Sequence, residues 1–409
     1  MSLRSLGAGL LIILLVGTSA LVLWYTLART SPFEVLSLLN PRDGQAVLTP
    51  AGEAVLHPRE VGVPARWEGA FPRGRSIYLP EGFQINIYAA GLDGARFMTV
   101  GPEGDIYLSE MGAGRIVVLP DRDGDGVADD AITYADGLDR PHGLAFYNGS
   151  LYAAETGRVL RLPDADGDLR ADLQEVIIPD LPARGGHITR TIGFGPDGML
   201  YVSVGSSCNV CEDDPRRAAI LRFTPDGRNE EVYAPGLRNA VGFLWRPGTG
   251  ELWATDNGRD MLGDDIPPDE VNIVAQGRHY GWPYCYGDRV ADPAFDRAEF
   301  CEGTEPPLVK LQAHSAPLGL RFYTGIKFPE EYRGDLFVAL HGSWNRRVPT
   351  GYKVVRVRLS DPPTVEDFAT GWLVGERAWG RPVDILVGKD GALYVSDDYA
   401  GAVYRISYP

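Results

Sequence analysis

Six times along a chain of 409 residues, a polar turn with glycine leads into a strand that carries one large aromatic side chain. The copies read GPEGDIYLSE (101–110), YNGSLYAAE (147–155), GPDGMLYVSV (195–204), GTGELWATD (248–256), RGDLFVALH (333–341) and GKDGALYVSD (388–397). Their aromatics, Tyr107, Tyr152, Tyr201, Trp253, Phe337 and Tyr394, lie 45, 49, 52, 84 and 57 residues apart. Strand-and-turn units of this period predict propeller blades of about four strands each, stacked round a central channel because no blade buries its faces alone. Six copies therefore predict an all-β, six-bladed propeller over 76–409. The alternation in Lys353-Val-Val-Arg-Val-Arg-Leu359 fits strands, helical periodicity is nearly absent, and 50 Gly with 31 Pro supply the turns. A double β-sandwich is the other all-β solution, but it does not require the repeat.

Leu6 to Ala28 is 23 residues without a charge, between Arg4 and Arg29. As a helix it would span roughly 34 Å, enough for a bilayer core. It reads as an uncleaved anchor, because the apolar run continues through Leu21, Val22, Leu23, Trp24 and Tyr25. A signal peptide cleaved near Thr18-Ser19-Ala20 is the alternative. Either reading exports the body to the periplasm or the extracellular face. Residues 30–75, with Pro32, Pro41, Pro50, Pro58, Pro64 and Pro72, read as a stalk that begins to pack near the body. In an oxidising compartment the four cysteines are expected to pair locally, Cys208 with Cys211 and Cys285 with Cys301. Lys and Arg number 39 against 55 Asp and Glu, a net charge of 39 − 55 = −16. Without a basic stripe to offset it, that charge excludes nucleic acid as a partner.

Several motifs carry possible chemistry. Asp121, Asp123, Asp125 and Asp129 alternate along a glycine-containing loop, as in the first half of an EF-hand loop, and predict a Ca²⁺ site on the rim. Asp164, Asp166, Asp168 and Asp172 repeat the pattern, with a solvated acidic turn an equal alternative. His187 leads into the third repeat, and His142 stands at the equivalent place one blade earlier, so both are expected to face one pocket. Arg238-Asn239 holds the same station one blade later, where a guanidinium fork suits an anionic ligand. Asp256-Asn-Gly-Arg-Asp260 and Asp269-Glu270 follow. No dinucleotide fingerprint, Walker loop, HExxH or GxSxG motif is present.

Taken in order, GGHITRTIGFGPDGMLYVSVG, GLRNAVGF and DNGRD…DEVNIVAQGRHYGWP resemble the soluble pyrroloquinoline quinone (PQQ)-dependent sugar dehydrogenases. HGSWNRRVPTGYKVVRV and GRPVDILVGKDGALYVSDD resemble their sorbosone dehydrogenase branch, and the likeness covers about 80–409. The resemblance implies a six-bladed propeller that binds PQQ and Ca²⁺ and oxidises a sugar. By position it implies His187 as general base, Arg238 beside the quinone oxygen and Asn239 as its polar neighbour. It also implies Gly258 and Arg259 as carbonyl ligands of Ca²⁺, Asp269 and Glu270 as acidic support, and Arg381 on a cofactor carboxylate. Glucose-oxidising members carry a lysine where this chain reads Leu340-His341-Gly-Ser-Trp-Asn-Arg346, so His341 or Arg346 is expected in its place.

The expected function is oxidation of an aldose or related sugar aldehyde, with an acceptor outside the chain taking the electrons onward. A Ca²⁺-dependent lactonase or hydrolase, and a propeller that only binds a ligand, are the competing classes. Arg238 and Arg381 favour a polyanionic cofactor, which a lactonase would not require.

Overall fold

The structure, a computed structural model, describes Gly52 and residues 54–409. Six antiparallel four-stranded sheets make the six expected blades. Blade 1 is Ala95–Val100, Ile106–Glu110, Arg115–Leu119 and Ile132–Ala135; blade 2 is Leu144–Tyr147, Ser150–Ala154, Val159–Leu162 and Glu175–Ile178. Blade 3 is Ile192–Phe194, Leu200–Val204, Ala219–Phe223 and Glu231–Pro235; blade 4 is Phe243–Trp245, Leu252–Asp256, Asp269–Val274 and Val309–Leu311. Blade 5 is Pro317–Phe322, Leu336–Leu340, Lys353–Arg358 and Thr364–Ala369. Blade 6 takes Pro382–Val387, Leu393–Asp397 and Ala402–Ser407 from the end of the chain, and its outermost strand, Gln84–Ala90, from the beginning.

That last pairing closes the ring. Gln84 lies opposite Ser407 and Ala90 opposite Ala402, so the first propeller strand completes the last blade. Ile87 and Tyr404 face each other in this register, and both are fully buried. Ser396 of blade 6 then donates its hydroxyl to the Arg96 carbonyl of blade 1, a bond across the seam.

The repeated aromatics explain why the blades stack. Each lies buried on the second strand of its blade. From four blades the ring meets an aromatic on the inner strand of the next blade: Tyr107 on Phe146, Tyr152 on Phe194, Tyr201 on Trp245 and Trp253 on Phe322. Centroids are 4.9–5.2 Å apart and the rings are edge to face, the arrangement their quadrupoles favour. Blades 5 and 6 differ. Phe337 packs on Phe368 of its own blade, and Tyr394 on Tyr88 of the closing strand.

The 84-residue spacing holds an insertion between the third and fourth strands of blade 4. It contains the small hairpin Cys285–Tyr286 with Val290–Ala291 and the short helix Ala298–Glu302. Both disulfides form as expected, Cys208–Cys211 and Cys285–Cys301, with Cα separations of 6.3 and 5.8 Å. Before the propeller, His57–Glu60 pairs with Ser76–Leu79, and Val61 and Phe71 are buried. Among the described residues no helix is long and apolar enough to cross a membrane, and the segment Leu6–Ala28 lies outside them.

If ring closure carries the fold, truncating its seam must cost more than truncating the surface. Ile87→Ala is expected to destabilise the protein by about 2–5 kcal/mol, the usual cost of a buried isoleucine truncation. Ile326→Ala, at an exposed position, should change stability by less than about 0.5 kcal/mol. Urea unfolding of the two variants tests this, and similar midpoints would contradict it.

Candidate active site

Antiparallel order decides which loops meet. In every blade the start of the first strand and the end of the second lie on one face, whereas the turn between them lies on the other. His142, His187, Arg238 and Arg381 all precede or open first strands. Residues 205–218, 257–268, 341–352 and 398–401 all follow second strands. These segments therefore share one mouth. The acidic loops 121–130 and 164–172 join third to fourth strands and lie on the opposite face. Asp121, Asp123 and Asp125 converge within 4.8 Å, as do Asp164, Asp166 and Asp168. Asp129 instead accepts the Arg122 backbone N–H.

His187 is half-buried and held from one side. Its Nδ1 lies 2.9 Å from both the carbonyl and the hydroxyl of Ser206. A carbonyl only accepts, so Nδ1 carries the proton and Nε2 keeps its lone pair. Burial and the positive charge of Arg238 push the imidazole pKa down to about 3, with Arg190 and Arg217 adding to the effect. The Cβ of His187 packs against Gly205, where any side chain would meet it and the Asn239 Oδ1. Gly205 is thus the gap that lets His187 and Asn239 approach.

Arg238 is buried and fully engaged. Its Nε donates to the Asn209 carbonyl at 3.0 Å, and Nη1 to the carbonyls of Asn257 and Gly258 at 3.1 and 2.9 Å. Nη2 reaches Asn209 Oδ1 at 3.0 Å and Asp260 at 3.1 Å. Asp256 fixes the backbone beneath it by accepting the N–H groups of Arg238 and Asn239.

Asp269 and Glu270 sit behind this layer. Asp269 accepts the N–H of Gly258 and of Ala316, joining blade 4 to blade 5. Glu270 accepts the Gly287 N–H and the Asn272 amide. Burial pushes both carboxyls up to about 7. They orient backbone rather than present oxygens to the mouth. The Arg259 side chain pairs with buried Asp292 in the insertion at 2.7 and 2.8 Å, so that only its backbone can turn to a ligand.

On the blade 6 side, Arg381 donates to the carbonyls of His341 and Gly342 at 3.0 and 2.8 Å. Its Nη1 makes no hydrogen bond among the described residues, and the guanidinium lies over the Tyr352 ring, 5.5 Å from the centroid. His341 Nε2 lies 2.9 Å from Asp398, whose other oxygen accepts from Arg96 at 2.7 Å. Burial would raise Asp398, but the bonds from His341 and Arg96 outweigh it and hold the carboxyl well below the usual range. The Arg346 guanidinium is taken up by the carbonyls of Asp264 and Ala313 and by Asp265.

His142 does not share the pocket of His187. It is fully buried, with Nε2 on Arg96 at 3.2 Å and Nδ1 on the Arg190 carbonyl at 3.3 Å. The repeat places it correctly in its blade, but Arg96 reaches over from blade 1 and closes it in. Sequence patterning also missed Arg96, Asp398, Asn209, Arg190 and Arg217. Only Arg190 and Asn209 carried a signal, one three residues after His187 and one inside the CxxC.

The residues present suit hard-cation and anion binding. Asn257 Oδ1 and Asn345 Oδ1 are buried without a hydrogen-bond partner, and Gly258, whose carbonyl accepts from Arg238, follows the former in the chain. Neutral oxygens of this kind suit Ca²⁺. The open edge of the Arg381 guanidinium suits a ligand carboxylate, while Arg238, its donors taken, contributes positive charge.

A propeller whose mouth gathers an unprotonated histidine and two guanidinium groups is the architecture implied by the dehydrogenase motifs. The chain belongs to the TrAA12-like family, which matches residues 77–409. It is 31% identical over 352 residues to an uncharacterised protein of Borreliella burgdorferi, covering 81% of this chain and 91% of that one. It is 27% identical to the aldose sugar dehydrogenase YliI of Escherichia coli, over 54% of this chain and 60% of that one. Among solved structures, the holo PQQ domain of pyranose dehydrogenase from Coprinopsis cinerea superposes with a TM-score of 0.67 at 22% identity, covering 85% of this chain and 98% of that one. The calcium structure of the Trichoderma reesei AA12 enzyme gives 0.69 at 22%, over 81% and 96%. The resemblance to PQQ-dependent sugar dehydrogenases is borne out.

Because His187 is held neutral by burial and by Arg238, its imidazole should remain uncharged from pH 8 down to about 4. In ¹⁵N NMR of the cofactor-free protein, the His187 resonances are expected to show no titration near 6.5. Arg238→Gln should raise the midpoint by removing a nearby positive charge. A wild-type midpoint between 6 and 7 would contradict the geometry.

Proposed function

We propose that this chain is a PQQ- and Ca²⁺-dependent dehydrogenase that oxidises an aldose or a related sugar aldehyde. The observation that carries this reading is the fixed tautomer of His187, whose Nε2 lone pair lies on the same mouth as Arg238. The relatives named above, a PQQ-binding pyranose dehydrogenase domain and an aldose sugar dehydrogenase, support it.

When bound, PQQ supplies the two-electron acceptor that takes the hydride from the sugar carbon. The protein's part is to bind, orient and move a proton. His187 Nε2 accepts the proton of the hydroxyl on that carbon, while Nδ1–H stays on the Ser206 carbonyl and keeps the ring in place. A neutral imidazole is ready to do so at any working pH above about 4. Arg238, already oriented by four oxygen-bearing residues, offers fixed positive charge where negative charge develops, at no cost of reorganisation. Arg381 would hold a cofactor carboxylate through the edge left open by His341 and Gly342. The carbonyls of Gly258 and Arg259 would hold Ca²⁺, with Asp269 fixing the Gly258 N–H from behind and Glu270 fixing Gly287 of the adjoining insertion.

We further propose that the body works outside the cytoplasm, held to the membrane by Leu6–Ala28. Two disulfides support an oxidising compartment. A Ca²⁺ ion on the loop Asp121–Asp129 belongs to the same reading, on the face away from the mouth.

Reconstitution tests the reading. Purified protein given PQQ and Ca²⁺ should reduce a dye in the presence of aldoses, and should do nothing without PQQ. His187→Ala should lower kcat by about 10²–10⁴-fold with PQQ binding mostly retained. Arg381→Ala should instead weaken PQQ binding. Lactone hydrolysis without quinone, or an active His187→Ala enzyme, would overturn the proposal.

A further inference from the structure

The loop 205–218 of blade 3 has no regular secondary structure, yet it braces both residues on which the dehydrogenase reading depends. Its brace is one residue, Asn209, which lies between Cys208 and Cys211 in a ring closed by their bridge. The Asn209 carbonyl accepts from Arg238 Nε at 3.0 Å and from Trp282 Nε1 at 3.3 Å. Its Oδ1 accepts from Arg238 Nη2 at 3.0 Å and from the Asp260 N–H at 2.8 Å. Its Nδ2 donates to the Asp260 carbonyl at 3.0 Å. On the other side of the ring, the Cys208 carbonyl accepts the Ser206 hydroxyl at 2.7 Å, and Ser206 in turn holds His187.

Neither alanine nor aspartate meets these demands. Alanine would leave Arg238 Nη2 with Asp260 alone and strand the Asp260 N–H. Aspartate would lose the donor to Asp260 and set a second carboxylate beside it. The backbone carbonyl must also face Arg238, which requires the chain to hold one conformation at a point where no strand constrains it. A bridge between residues three apart supplies that constraint locally, by removing conformations the open loop would sample. An arginine side chain otherwise loses much rotamer freedom when it is ordered. Ordering it beforehand leaves less to lose when an anionic ligand arrives.

We propose that Asn209, fixed inside the Cys208–Cys211 ring, is the positioning residue that sets Arg238 against His187 for quinone binding. The proposal rests on the dehydrogenase reading, and it assigns this bridge a task at the site rather than in general stability. Asn209 acts through Arg238, so its effect must vanish when Arg238 is gone.

The test uses the full chain in four forms: wild type, Asn209→Ala, Arg238→Gln and the double variant, with a Cys208→Ser/Cys211→Ser protein as a fifth. PQQ is titrated against each in the presence of Ca²⁺. Asn209→Ala and the cysteine variant are expected to bind PQQ at least tenfold more weakly than wild type, with urea midpoints showing that both are folded. In the Arg238→Gln background, Asn209→Ala should change affinity by less than twofold. Histidine NMR of the PQQ-free proteins gives a second readout. The His187 midpoint should rise in Asn209→Ala, because a released guanidinium spends time farther from the ring, and should not rise further when Arg238→Gln is already present. Equal losses in the two backgrounds, or wild-type affinity in Asn209→Ala or the cysteine variant, would overturn the proposal. If wild type itself binds no PQQ, the dehydrogenase reading falls. The NMR arm then decides alone, and an unmoved His187 midpoint in Asn209→Ala ends the positioning claim.

Discussion

The pairing of Gln84–Ala90 with Ala402–Ser407 is the constraint on which everything else rests. Blades 1 to 5 are built from consecutive chain, and each could stack on its neighbour without any ring being formed. Only the last blade requires strands from both ends of the propeller. Once it is complete, His187 of blade 3, Arg238 of blade 4, His341 of blade 5 and Arg381 of blade 6 surround one mouth, although 194 residues separate the first from the last (381 − 187). The site is a consequence of closure, and the edge-to-face aromatics between blades set the spacing at which closure occurs.

How much of this was legible in the sequence follows from what repeats. Tyr107, Tyr152, Tyr201 and Trp253 recur because the same interblade contact recurs, so blade number and order could be read directly. Stations at the mouth could be read for the same reason, which is how His187 and Arg238 were found. His142 shows where that logic stops. Symmetry copies the backbone station but not the neighbours, and the neighbour here is Arg96. Arg96, Asp398 and Asn209 belong to no repeat. Their roles come from contacts across blades or across a disulfide ring, and no spacing in the chain encodes them.

Positive charge gathers around His187. The chain carries a net charge of −16, yet Arg96, Arg190, Arg217 and Arg238 are all buried around His187, His142 and Asp398. Most of their bonds go to carbonyl oxygens rather than to carboxylates, as with Arg190 on His187 and Thr189 and Arg217 on Gly205. Their charge is thus ordered but incompletely neutralised. Burial and this charge together explain the low basicity of His187, and the charge suits the mouth to an anion on an otherwise acidic body.

The chain meets the propeller from the side. Gly52 donates to Val365 on the outermost strand of blade 5, Tyr78 bridges to Thr370 just beyond that strand, and Gln84–Ala90 is itself the outer edge of blade 6. The handle of the disc is therefore on its rim, away from both flat faces. The ring is thereby clasped at its circumference, where blades 5 and 6 adjoin, by the same stretch of chain that supplies the closing strand.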